Sequence, residues 1–214
     1  YVGSNIKNIV SILGAVETVG DFEWKKDLLL NDLIDDPSLL LPSADLHYGL
    51  IRRIKHNGKI QCLSFIPSEI FNSKITKKIK LEPRDIVYFF PRSSRDSLIS
   101  GLIADLRKQS ASDEKVQIVK INGAIHFPGS YPYTNAMTLM DLFRAAGGLK
   151  DSSYIMDAEV TRIGVDQDQH AKLQHIWLSP NQLSQKEASS GFLLEPYDVV
   201  SIKSIPFWKE GESV

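Results

Sequence analysis

The chain repeats itself, and that repeat limits its possible folds more than any other feature. Gly14-Ala15-Val16, Gly20-Asp21-Phe22 and Leu30-Asn31-Asp32-Leu33 return as Gly123-Ala124-Ile125, Gly129-Ser130-Tyr131 and Leu139-Met140-Asp141-Leu142. The offset is constant, since 123 − 14, 129 − 20, 139 − 30 and 141 − 32 all give 109. Leu81-Glu82-Pro83-Arg84-Asp85-Ile86-Val87 returns as Leu194-Glu195-Pro196-Tyr197-Asp198-Val199-Val200 at 194 − 81 = 113, so the second copy gains four residues in between. A repeat of this length is a whole small domain and not a solenoid unit.

At 214 residues the chain has room for two domains of ordinary size. Its 25 basic and 26 acidic residues leave a net charge of −1, so no imbalance points to DNA, RNA or an anionic membrane. No apolar run approaches the ~20 residues of a membrane-spanning helix. Cys62 is single, which rules out an intrachain disulfide and suits either the cytosol or a periplasmic domain that does without one. The chain begins at Tyr1 with no initiator Met and no signal sequence, and it reads as an internal piece of a longer protein.

Each copy follows one order of elements. The first opens with an apolar strand, Ile9 to Val16, a turn at Gly20 and a short strand through Phe22 and Trp24. Leu29, Leu30, Leu33 and Ile34 sit at helical spacing, and Pro37 ends that helix. Tyr48 to Lys55 and Lys59 to Ile66 form a hairpin, with Asn57-Gly58 as a two-residue turn of positive φ. Pro67 to Phe71 is a helical turn, and Ile86 to Phe90 closes the copy.

In the second copy Val116 to Ile125 is the opening strand and Pro128-Gly129 the turn. Thr138 caps a helix with Asp141 as capping-box partner, and Leu139, Leu142, Phe143 and Ala146 form its apolar stripe. Gly147-Gly148 stops it. Ala158 to Ile163 and Leu173 to Leu178 make a hairpin around the polar loop Gly164 to Ala171; Pro180 to Lys186 is a short helix and Val199 to Ile202 the closing strand. Between the copies, Ile99, Leu102, Ile103 and Leu106 mark a linker helix within Ser94 to Ser110, packed on one or both domains, and Gln109 to Glu114 is a loop. Periodicity alone gives an α+β fold in two copies, each a small mixed sheet over one main helix.

The stretch from Ile121 to Tyr131 resembles the "V-x-G-x-V-x-x-P-G-x-Y" opening of the SLBB (soluble ligand-binding β-grasp) family. Leu139 to Leu149 is similar to its "L-x-D-L-I-x-x-A-G-G-L", Ala158 to Arg162 to its "A-x-V-x-R", and Leu194 to Val200 to its closing "L-x-P-x-D-x-V". The first copy matches less well: Val19 stands where the family has Pro, and Asp36-Pro37-Ser38-Leu39 replaces Ala-Gly-Gly, while Gly14, Gly20, Leu30, Asp32, Leu33, Arg53 and Leu81 to Asp85 are kept. The resemblance implies two tandem β-grasp (SLBB) domains joined by a linker helix. The expected divisions are 1–92, a linker helix and loop at 93–114, 115–205, and the start of a further segment at 206–214.

Tandem domains of this style resemble Wza-type bacterial polysaccharide export proteins. That resemblance implies a non-catalytic periplasmic module of a capsular or exopolysaccharide exporter, forming part of an oligomeric conduit or scaffold. It implies copies of the same chain, polysaccharide and an inner-membrane co-polymerase or tyrosine kinase as partners, with association to the outer membrane through parts outside this chain. The export-signature domain and membrane-crossing helix of a complete exporter are missing from the sequence. The alternative is a soluble module holding a small molecule or oligosaccharide between the two domains.

The chemistry-bearing residues fit no catalytic pattern. No Gly-Lys-Ser/Thr or dinucleotide fingerprint accompanies the glycines, and no cofactor is expected. Gly14, Gly20, Gly123, Gly129, Gly147, Gly148, Pro128, Pro83, Asp85, Pro196 and Asp198 read as structural motif positions: close backbone approach, tight turns and helix stops. Asp32 and Asp141 share one repeat position in the first helical turn, which the helix dipole favours over a catalytic pairing across domains. His47, His56, His126, His170 and His175 are scattered without metal-ligand spacing, and Asp166 with Asp168 lacks the glycine and distal Glu of a calcium loop. Cys62 reads as core. Arg52, Arg53 and Arg162 are candidate glycan or interface contacts, because the planar guanidinium suits a sugar hydroxyl or a uronate; an exposed strand residue or an intermodule ion pair is the competing reading. Tyr131 and Tyr133, with Trp24, Phe207 and Trp208, are candidate stacking groups, with core or domain-interface packing as the competing reading.

Overall fold

A computed structural model describes residues 8–72, 78–110, 115–165, 171–178 and 191–206. The fold is α+β, and the chain divides into two compact units, Tyr1–Gly101 and Leu102–Val214. The expected short helix at Pro180 to Lys186, the tip of the loop between Gly164 and Ala171, and the tail from Phe207 lie outside the described residues.

The first unit holds β1 (Ile9–Gly14), β2 (Gly20–Glu23), β3 (Ala44–Ile54), β4 (Ile60–Phe65) and β5 (Ile86–Pro91) in one sheet of order β2-β1-β5-β3-β4. The second holds β6 (Ile118–Gly123), β7 (Gly129–Pro132), β8 (Ser153–Val165), β9 (Ala171–Leu178) and β10 (Val199–Ser204) in the order β7-β6-β10-β8-β9. The orders are the same under the repeat, and so is the register. Ser11 pairs with Ile86 in the parallel β1/β5 ladder, and Lys120 with Val199 in β6/β10, which are the same positions shifted by 120 − 11 = 109 and 199 − 86 = 113. The four extra residues fall in the β8–β9 turn: Ile54 pairs with Ile60, and Ile163 with Leu173, so 60 − 54 = 6 becomes 173 − 163 = 10.

One face of each sheet carries the core. In the first unit Val10, Ile12, Ile51, Val87 and Phe89 are buried with Leu30, Ile34 and Leu40. In the second, Val119, Ile121, Ala158, Val160, Val200 and Ile202 are buried, as are Leu139, Leu142, Phe143 and Ala145 of the helix that follows β7. Helix α4 (Leu139–Ala145) starts as its sequence requires. Asp141 N–H donates to Thr138 Oγ1, and Thr138 N–H donates to Asp141 Oδ2 at 2.9 Å. It ends at Gly147 and Gly148, both with positive φ, and Gly148 N–H donates to Phe143 O at 2.8 Å.

Two local expectations change. The first copy's helix shrinks to one turn, α1 (Leu30–Leu33), because Asp36 caps a separate 3-10 turn at Pro37–Leu39. Pro37 therefore starts an element where it was expected only to end one, as suits a residue with preset φ and no N–H. The β3–β4 turn is not a two-residue turn of two positive φ values. Gly58 N–H donates to Lys55 O, Lys55 N–H donates to Lys59 O, and of this pair Gly58 alone has positive φ. A three-residue loop with a left-handed glycine is the next commonest hairpin solution.

Helices α2 (Pro67–Ile70) and α3 (Asp96–Gln109) complete the described residues, and α3 buries Ile99, Leu102, Ile103 and Leu106. Just before α3, Arg95 is 2% exposed; it pairs with Asp45, donates to Pro91 O and lies over the rings of Tyr48 and Phe90.

Candidate functional site

Each unit builds the same buried ion pair from residues far apart in sequence. In the first, Glu82-Pro83-Arg84-Asp85 is a turn closed by Asp85 N–H on Glu82 O, with Pro83 second and Arg84 third at φ +69°. The turn aims the Asp85 carboxylate inward, where Oδ2 accepts from Glu82 N–H at 2.8 Å. Arg53 on β3 meets it with two parallel bonds, Nε to Oδ1 at 3.0 Å and Nη2 to Oδ2 at 2.7 Å. The same guanidinium donates to Glu82 Oε1 at 2.8 Å and to Lys80 O at 2.9 Å.

The second unit repeats every one of these bonds. Tyr197 takes the positive φ, and Asp198 Oδ2 accepts from Glu195 N–H at 2.8 Å. Arg162 donates from Nε to Asp198 Oδ1 at 2.9 Å, from Nη2 to Oδ2 at 2.7 Å, and to Glu195 Oε1 and Leu193 O at 2.8 and 3.0 Å. The Asp85 and Asp198 side chains are 0% exposed, against 14% and 16% for the two arginines. Fork-to-fork pairing, with the turn N–H as a third donor to the carboxylate, is the geometry in which a buried pair holds its place.

Electrostatics keep both arginines charged. Burial opposes the Arg53 cation, but hydrogen bonding and charge from Asp85, helped by Glu82, outweigh it and raise the pKa above the ordinary arginine value. For Arg162 the hydrogen bonds to Asp198 are the largest effect; they exceed the opposing burial and also raise the pKa.

Beside the first clamp lies a shallow groove of about 440 Å³, lined by Arg53, Lys55, His56, Asn57, Gln61 and Glu82. Its lining mixes hydrogen-bond donors and acceptors and has no large apolar group. Arg53 pairs across the strands with Gln61, as Arg162 does with Gln174. Glu82, Glu195, Gln61 and Gln174 carry no chemical pattern of their own in the sequence; the shared offset (195 − 82 and 174 − 61, both 113) is the signal that links them.

The other candidates are dispersed. Arg52 points to the opposite sheet face from Arg53, across from Cys62 and Ile86. Tyr131 is 2% exposed and donates its hydroxyl proton to Phe127 O at 2.7 Å, so its ring is core. Tyr133 is half-buried within electrostatic reach of Arg162. Trp24, at the matching position (133 − 24 = 109), donates from Nε1 to Leu81 O. Asp32 and Asp141 both accept N–H bonds at a helix start.

A Cβ at Gly14 or Gly123 would stand 1.9 Å from the carbonyl oxygen of Phe89 or Ile202, so glycine is required where the parallel strands end. Gly129, expected to make a tight turn, instead opens β7 with free space where a Cβ would be and no left-handed backbone. Pro128 is exposed just before it. Among the described residues no three His, Cys, Asp or Glu side chains converge to hold a metal. His170, Asp166 and Asp168 lie outside them. No described helix is long and apolar enough to cross a membrane.

Residues 118–169 match the SLBB domain family. The matched stretch holds β6, β7, α4, β8 and Arg162. No curated protein matches the chain.

Proposed function

We propose that this chain is a non-catalytic periplasmic module of a capsular or exopolysaccharide export protein, with two SLBB domains in tandem, 1–92 and 115–205, around a linker at 93–114. One observation carries the reading: the first unit reproduces the strand order, register and arginine clamp of the unit that matches the SLBB family. The charged groups support a structural role for the clamps, since the arginines and their carboxylates satisfy one another within each unit. On this reading the modules join copies of themselves into a conduit or scaffold for the polymer, in the periplasm and toward the outer membrane, with an inner-membrane co-polymerase or tyrosine kinase as a further partner. Contact with the passing polymer is shallow, as the open groove beside Arg53 suggests, because a conduit must release what it carries.

The test is made in the cell of origin, on the complete parent protein. Removing residues 1–205 should abolish surface polysaccharide while polymer accumulates in the periplasm. Unchanged surface polysaccharide would refute the export role.

A further inference from the structure

We propose that the open face of the second sheet is a stacking platform for a saccharide ring, centred on Trp177. The ligand class rests on the polysaccharide reading above; the platform itself is read from the side chains. Trp177, on edge strand β9, is 53% exposed. Lys203 Nζ lies 4.5 Å from the centroid of its ring. Lys203 comes from β10, so this contact reaches across β8 and fixes the orientation of the indole.

Hydrogen-bonding groups flank the ring on the same face. Glu159 stands directly opposite Trp177, and Ser201 opposite Glu159. Glu159 Oε1 meets His175 Nδ1 at 2.6 Å, and Thr161 faces His175 on the adjacent strand. An indole held by an ammonium over one of its faces, with a carboxylate, an imidazole and hydroxyls around it, matches on its other face a pyranose, whose C–H side is apolar and whose rim carries hydroxyls. Glu159 and Lys203 balance in charge, so the platform selects the ring and its hydroxyls over a net charge. Exposed Ile163 and Leu173, paired across the same hairpin, lengthen the platform toward its tip. The matching position in the first unit is Ser64 (177 − 64 = 113), so the feature belongs to the second unit alone.

The experiment titrates the whole 15N-labelled chain with two hexasaccharides, a neutral β-glucan and a glucuronate-containing one, and follows the indole N–H of Trp177. Trp24, whose Nε1 is held by Leu81 O, serves as the internal reference. A saturable shift confined to the Trp177 face is expected, with Kd on the order of 1 mM. Trp177→Ala should weaken binding roughly tenfold with an unchanged backbone spectrum, and Trp177→Phe should retain part of it. No saturable shift with either sugar up to about 10 mM overturns the platform. Unchanged affinity in Trp177→Ala also overturns it, yet leaves the polysaccharide reading standing with binding elsewhere. Concentration-dependent self-association that Trp177→Ala abolishes, without sugar binding, assigns the face to a second copy of this chain and refutes the proposal. The export reading is judged separately, by the surface-polymer assay.

Discussion

The two sheets share their inner faces and differ in their outer ones. On the outer face of the first, Tyr48, Leu50, Cys62, Tyr88 and Phe90 are all buried, and Arg95 lies over two of the rings. The matching positions of the second sheet include Glu159 for Leu50, His175 for Cys62, Ser201 for Tyr88 and Lys203 for Phe90, at offsets of 159 − 50 = 109 and 175 − 62 = 113. That face is polar and open around an exposed Trp177. What the repeat keeps is what closes each unit on itself: strand order, the glycine at the end of the parallel pair and the arginine clamp. What it lets diverge is the outer face of the sheet. On the first sheet this face is buried; on the second, among the described residues, it is exposed at Ile163, Leu173 and Trp177.

This comparison breaks first at the clamps. Asp85→Ala and Asp198→Ala should each cost about 3–5 kcal/mol, because either one strands a buried guanidinium and a turn N–H. Urea unfolding with hydrogen exchange read separately over residues 8–72 and 115–165 should show each loss confined to its own unit. Unequal losses would mean that the clamps are not equivalent.

The outer faces give the next largest contrast. Leu50→Ala removes a fully buried side chain and should destabilise the first unit by about 2–5 kcal/mol. Glu159→Gln, at the matching position, should change stability by no more than about 0.5 kcal/mol, since its partner His175 is half-exposed. Thermal melts of both variants decide whether the faces differ as described. Within the second unit, Thr138→Ala removes the helix cap and should cost about 1 kcal/mol.

The last contrast is read near neutral pH, where it changes labelling and not stability. Burial pushes the Cys62 thiol up to about 12 from an ordinary value near 9. A folded-state pKa above the unfolded one means that the contribution is intact below pH 9 and is lost as pH rises toward 12. Native protein at pH 8 should therefore resist thiol labelling that proceeds at once in urea. Rapid labelling of the native chain would show that the outer face of the first sheet is open.

The sequence carried the architecture because the repeat is written in glycines, prolines and apolar runs, which act locally. The capping box of Thr138 and Asp141 was readable for the same reason: its two members are three residues apart. The clamp was not readable as a contact, because Arg53 and Asp85 are 32 residues apart, and only strand register brings them together. Arg52 and Arg53 looked alike as candidates until the pleat sent them to opposite faces. Tyr131 has the residue type of a stacking group and is core, whereas Trp177, which no local motif marks, is exposed. Alternation along β9 marks two faces, but which one meets the core depends on the strands beside it.

The most direct measurement of the claim that each unit is closed by the same arginine clamp is 15N-detected spectroscopy of the arginine Nε–H groups in the intact chain. The account predicts slowly exchanging Nε–H signals from both Arg53 and Arg162, with Asp85→Asn removing the protection of the first alone and Asp198→Asn that of the second alone. Protection of only one of the two, or loss of both in a single variant, would contradict it.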